Sequence, residues 1–268
     1  MSDWVALEGV LRPAAFVAVL VLLLVLQTRF AVRGDGWPAR RQAINLALVL
    51  IDTALLRLAF PLLAVALAVD VHAAGGGLFG RFAAPAWIEI MVAVLLLDLA
   101  IYWQHRLMHT LPWLWRLHRV HHCDPGFDVT TALRFHPLEI ALSMAIKLAL
   151  VLLLGPHPAA VLAFELLLSL GALWTHADLA LPARLDRALR YVLVTPSMHR
   201  IHHSTWRPET DSNYGFHLSL WDRMFASYRA LPRRPESVMP IGLDAFSAPR
   251  EQRLGALLLN PFRSSERG

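Results

Sequence analysis

Cysteine, lysine and charge are all scarce in this chain, and each scarcity excludes something. The single cysteine, Cys123, rules out an internal disulfide and any cysteine-based zinc or iron–sulfur site. Asp, Glu, Lys and Arg together make up only 17% of the 268 residues, against 56% hydrophobic residues. With a mean hydropathy of +0.48, too little polar surface remains to clothe a soluble domain, so the chain belongs in a bilayer. Polar linkers are lacking as well, so residues 1–268 read as a single membrane domain. Lys147 is the only lysine beside 24 arginines, which hints at a GC-rich genome and a bacterial inner membrane.

Long apolar runs are plentiful. They cover about residues 13–30, 43–69, 87–103, 138–154 and 158–175, and a helical span needs about 17–25 residues. The last two are short and joined by Gly155-Pro156-His157-Pro158, so they form either two crossings or a hairpin that enters and leaves on one side. The fold class is therefore an all-α integral membrane bundle of four to five segments. The first run is long, follows acidic Asp3 and Glu8 and lacks an evident cleavage site, so it reads as retained and not as a secretory signal.

Arg29, Arg33, Arg40 and Arg41 crowd the loop between the first two runs, whereas residues 70–86 hold only Arg81. Positive loops face the cytosol, which puts the amino terminus outside and the arginine-rich tail inside. A net charge of +5 raises the question of nucleic acid, but the basic residues flank apolar runs. An anionic lipid surface is the partner that this placement fits, and no nucleic acid is expected.

The cytosolic side carries a histidine-rich helical cap, residues 105–136 and 176–228, with three boxes: His105 and His109 in HRLMH, His118, His121 and His122 in HRVHH, and His199, His202 and His203 in HRIHH. Spacings of three and four residues share a helix face, so each box is expected to aim its imidazoles at one point. The third run should continue as helix through Asp98, Tyr102, His105 and His109 until Pro112, with a second short helix over 113–122. Residues 182–194 read as an amphipathic surface helix, Thr195-Pro196 as the cap of the third box, and 254–259 as a further surface helix. Eight nitrogens exceed what one ion takes, so two metals are implied. Neutral imidazole binds iron, zinc, copper or nickel. Such a pair suits oxygen activation or a di-zinc hydrolase, with a non-catalytic metal-binding scaffold as the third class.

The runs YWQHRLMH (102–109), WRLHRVHH (115–122), RFHPLE (134–139), TPSMHRIHHS (195–204) and NYG followed by WDRMF (213–225) together resemble the fatty acid hydroxylase superfamily, which includes sterol desaturases. The resemblance covers about residues 98–228. It implies a membrane oxygenase with a di-iron centre. Such an enzyme uses dioxygen and electrons from an external donor, a reductase, ferredoxin or cytochrome b5-like protein, to hydroxylate or desaturate a C–H bond of a fatty acyl, sterol-like or other isoprenoid lipid. It further implies that the eight box histidines are the catalytic metal ligands, and that His176 in WTHADL is another. Many members have asparagine where this chain has Asp178, which bears on the second metal's coordination.

Other polar residues have narrower expected roles. Asp98, two helical turns before His105, is expected to orient that imidazole, as carboxylates behind ligating histidines do. His136 in RFHP is either a ligand or support of the metal site or part of a structural turn, and His217 after NYG either faces the site or is a plain surface or core histidine. His72 and His157 fall in the outer loops and out of reach. Arg106, Arg119 and Arg200 read as a solvated or headgroup-facing set. Lys147 and Glu165 lie nine residues either side of Pro156, so a hairpin should pair them, with Arg57 as the competing partner.

Overall fold

The computed structural model describes residues 3–34, 38–60 and 63–264. It is all-helical, with no β-strand among the described residues beyond two isolated bridges. Among the described residues five segments are long and apolar enough to cross a membrane: Asp3–Phe30, Ala39–Ala73 (two helices in succession), Ala86–Thr110, Pro137–Leu154 and Pro158–His176. Their outward side chains form an apolar belt, including Val17, Leu22 and Val25 of the first helix and Leu50, Leu152, Leu153 and Leu167 of later ones. A surface this apolar is stable against lipid, and the chain is a multi-pass membrane protein.

Helix α1 is Asp3–Phe30. The second apolar run, read from sequence as one segment, is two helices, α2 (Ala39–Ala59) and α3 (Ala64–Ala73). Phe60 is extended at φ −119, ψ 103. It precedes Pro61, whose ring disfavours helical backbone at the residue before it. Helix α4 (Ala86–Thr110) does continue past the apolar run to carry the first histidine box, and Pro112 opens α5 (Pro112–His122) at a position where its missing N–H costs nothing.

Helices α6 (Pro137–Leu154) and α7 (Pro158–His176) form the hairpin. Its turn reaches the opposite end of the bundle from the histidines. Gly155 is left-handed at φ +62, and a Cβ there would overlap the Gly76 carbonyl, while Leu78 N–H donates to the Leu153 carbonyl at 2.9 Å. The turn is thus seated on the loop after α3. The expected Lys147–Glu165 pair is present. The other Glu165 oxygen meets Arg12 of α1 at 2.7 Å, so the competitor named from sequence, Arg57, is not the third member.

α1 packs on α7 through Leu23, Leu173 and Ala177, together with Val129 and Leu133 of a 3-10 turn over Val129–Leu133. Two polar devices fix the histidine cap to the bundle. Buried Gln27 of α1 accepts through Oε1 from the Val129 and Asp178 amides, both at 2.8 Å. Arg41 of α2 forks onto Asp124 at 2.6 and 2.8 Å and reaches Asp128.

The remaining helices are short: α8 (Ala183–Leu189), α9 (Pro196–His202), α10 (Arg207–Thr210), α11 (Leu220–Met224) and α12 (Leu254–Leu259). The amphipathic helix expected over 182–194 stops at Leu189, because Val192 and Leu193 turn back to hydrogen-bond Leu189 and Val194 takes the His217 carbonyl. Thr195 caps α9 as expected, accepting from Met198 N.

Candidate metal centre

The boxes do not each aim at one point. The structure instead sorts nine imidazoles into two groups, one of His105, His109, His118, His122 and His202, the other of His121, His176, His199 and His203, with one nitrogen of every member within 4.8 Å of the rest of its group. Helical geometry explains the split. His118 and His122 are four apart on α5 and stay together, whereas His121, its neighbour at 100° around the axis, faces the second group. In the third box His199 and His203 are the four-apart pair, and His202 crosses to the first group. Only the first box is undivided. All nine side chains are buried.

Hydrogen bonds on the outer ring nitrogens set the tautomers. Nδ1–H of His105 donates to the Tyr214 carbonyl at 2.8 Å, that of His121 to Arg134 at 3.2 Å, that of His176 to Ala172 at 2.7 Å and that of His202 to Ser212 at 2.7 Å. His118 Nδ1 faces Glu139 Oε1 at 2.7 Å. The inner Nε2 atoms therefore carry lone pairs. Yet Nε2 of His121 and His176 stand 3.0 Å apart, as do those of His176 and His199, and buried Nε2 of His118, His122 and His202 have no hydrogen-bond partner. Lone pairs converging in a buried space repel one another unless a cation lies among them, and an all-nitrogen set fits a first-row divalent ion. Burial holds His121, His122, His199 and His203 well below the ordinary histidine range, with neighbouring imidazoles adding to it, and puts His202 down to about 3. They are neutral at physiological pH and free to ligate.

Several expectations about the surroundings are corrected. Asp98 does not orient His105. Its carboxylate accepts from His217 Nδ1 at 2.5 Å and from Trp221 Nε1 at 2.7 Å, while a backbone carbonyl does the work expected of Asp98. His217 stands with it and outside both groups, its ring against Gly171 of α7. His136 is a structural cap: Nδ1 accepts from Leu138 N at 3.1 Å and Nε2 faces the Leu258 carbonyl at 3.1 Å. Asp178 is also outside both groups, taken up by the backbone amides of Val32, Arg33 and Gly34 and by Arg200 at 3.2 Å.

The three arginines that follow histidines do not form a solvated set. Arg119 is buried and donates to Asn260, Arg200 is buried between Glu236 and Asp178, and Arg106 reaches Tyr102 and the Phe225 carbonyl. They brace the backbone from which the histidines project. His72 and His157 pack on each other at the far end of the bundle, ring centroids 5.0 Å apart.

Glu139, Asp211 and Phe135 belong to the site and were not singled out from sequence. Phe135 stacks on His121 at 4.4 Å and 6°. Asp211 Oδ1 lies 3.6 Å from His109 Nδ1. The signal for Glu139 was its place in RFHPLE, one helical turn into α6 on the side of the cap; nothing local marks Asp211, which is brought in by the turn after α10.

Human (Homo sapiens) alkylglycerol monooxygenase is 34% identical over 145 residues, 54% of this chain and 31% of that protein. The ornithine lipid hydroxylase OlsE of Rhizobium tropici is 29% identical over 153 residues, 56% of this chain and 44% of that protein. A Delta(7)-sterol-C5(6)-desaturase of Nicotiana tabacum is 28% identical over 163 residues, 56% of this chain and 55% of that protein. The chain thus spans about a third of the length of the human relative. No solved structure matches it. The model of the fatty acid hydroxylase family matches residues 90–227, just over half of the chain and all three boxes, and the chain belongs to that family.

Proposed function

We propose that this protein is a membrane oxidoreductase with a di-iron centre that uses dioxygen and external electrons to hydroxylate or desaturate a C–H bond of a lipid. The observation that carries the reading is the pair of adjacent buried imidazole groups, five and four strong, at the end of an apolar bundle. Iron bound there would activate dioxygen, the oxidant, toward an unactivated C–H bond. The five-histidine group and the four-histidine group are the ligand sets proposed for the two ions, so all eight box histidines and His176 are ligands.

The chain's own residues hold and enclose. Backbone carbonyls of Tyr214, Arg134, Ala172 and Ser212 lock the imidazoles with Nε2 inward, and Phe127 and Phe135 wall the second group against water. Dryness matters because it strengthens electrostatic interactions inside the site and suppresses side reactions. The lipid would reach the centre from the bilayer. Relatives named as a monooxygenase and a hydroxylase of lipids support hydroxylation, and the sterol desaturase keeps desaturation in the same reading. In this reading the electrons come from an external donor, a reductase, ferredoxin or cytochrome b5-like carrier. We place the active site on the cytosolic side of a bacterial inner membrane, following the arginine distribution.

The test is a comparison of lipid extracts by mass spectrometry from cells with and without the gene, together with metal analysis of the purified protein. Iron, oxygen consumption and a lipid gaining one oxygen atom or losing two hydrogens are expected. Zinc with oxygen-independent turnover would instead establish the hydrolase, and bound metal with no altered lipid the scaffold.

A further inference from the structure

The two imidazole groups differ in what stands behind them. In the five-histidine group His105 and His202 rest on carbonyls, and His118 and His109 face carboxylates: Glu139 at 2.7 Å, itself buried, and Asp211 at 3.6 Å. Among the described residues no carboxylate hydrogen-bonds or ion-pairs with a ring of the four-histidine group. His121 and His176 have carbonyls, and the outer Nδ1 atoms of His199 and His203 are buried without any partner.

Asp211 is placed to serve His109. Arg207 Nε holds its other oxygen at 3.0 Å, and a cavity of about 30 Å³ is lined by His109, Trp115, Thr210 and Asp211. The gap of 3.6 Å is beyond a direct hydrogen bond. A cavity of that size has room for one bridging water, and a small rotation of the one-third-exposed aspartate would also close the distance. Both ring nitrogens of His109 otherwise lack partners, so Asp211 is the acceptor that makes Nδ1 the protonated atom and leaves Nε2 for the group.

A carboxylate behind a ligating imidazole raises its basicity and fixes its tautomer, and removing one costs about 10–100-fold in metal affinity. We propose that the five-histidine group is the tighter of two unequal metal sites, that Glu139 and Asp211 are the positioning residues that make it so, and that the four-histidine group is the exchangeable site. The proposal rests on the two-metal reading above and adds the order of affinities and the residues that set it.

The experiment is an anaerobic equilibrium titration of the purified full chain with ferrous iron against a competing chelator, read as bound iron per protein. The unaltered protein should load in two steps. His199→Ala should remove the weaker step alone. Glu139→Gln and Asp211→Asn should each weaken the tighter step about 10–100-fold and leave the weaker where it was. Asp98→Asn, which removes the charge facing His217 outside both groups, should move neither. A single step of two equal ions, a shift confined to the weaker step, or unchanged affinity in both carboxylate variants overturns the ranking. So does an Asp98→Asn shift as large as that of Asp211→Asn, which would mark a general loss of fold. Absence of any bound iron in the unaltered protein would instead remove the metal reading itself.

Discussion

At the scale of single residues, the centre depends on imidazoles whose loss cannot be shared out. His121 and His202 sit in boxes of the same pattern but serve different groups, so His121→Ala depletes the four-histidine set and His202→Ala the five-histidine set. Each leaves neighbouring lone pairs converging on an incomplete sphere. Both variants are expected to abolish lipid oxidation, measured as product by mass spectrometry, and to differ in which iron step survives a titration. Unimpaired oxidation by either variant would show that its group is not needed. Two polar pairs near the site lack this convergence. The Asp98 carboxylate is taken up by His217 and Trp221, and that of Asp178 by Arg200 and backbone amides, so the carboxylate two helical turns from His105 holds a different imidazole.

At the scale of elements, the hairpin α6–α7 carries the sharpest test. Lys147 and Glu165 are buried in it, with Arg12 of α1 on the second Glu165 oxygen. An unpaired charge within a span costs about 2.5–3.5 kcal/mol on insertion scales. Glu165→Leu alone should therefore lower the folded yield, and Lys147→Leu with Glu165→Leu should restore it and keep most activity. Normal folding of the double variant with lost or redirected lipid oxidation would give the pair a role in the substrate path. This pairing was legible in sequence because both residues lie equally far from Pro156 in one hairpin. The same local reasoning gave the five apolar stretches, the extension of α4 and the cap at Thr195. It did not give the break at Phe60, where the apolar pattern continues while the proline ends the helix, nor the division of the boxes, which depends on adjacent histidines pointing 100° apart at two targets. Arg12 and Asp211 were out of reach because their partners lie far away in sequence and meet them only through packing.

At the scale of the whole molecule, all three boxes gather at one end of the bundle, and the far end is made by Trp4, His72, Glu89, His157 and the Gly155 turn. His72 packs on His157, and Glu89 accepts from His157 N at 2.7 Å. Which end meets the cytosol follows from loop charge. Arg29, Arg33, Arg40 and Arg41 lie at the histidine end, although Arg41 is consumed by Asp124 and Asp128, and the loop after α3 carries only Arg81. The positive end should be retained inside. A reporter active only in the cytosol should therefore work when fused after Gly268, which lies outside the described residues, and fail when inserted between Ala83 and Ala84. That insertion point is exposed, and it avoids Gly77, which is packed against the hairpin turn and would not tolerate an insertion. Activity at Ala83 with silence at the carboxyl terminus would put the imidazole groups on the outer face, where a cytosolic electron carrier could not reach them. In that case the donor would have to be sought on the other side of the membrane.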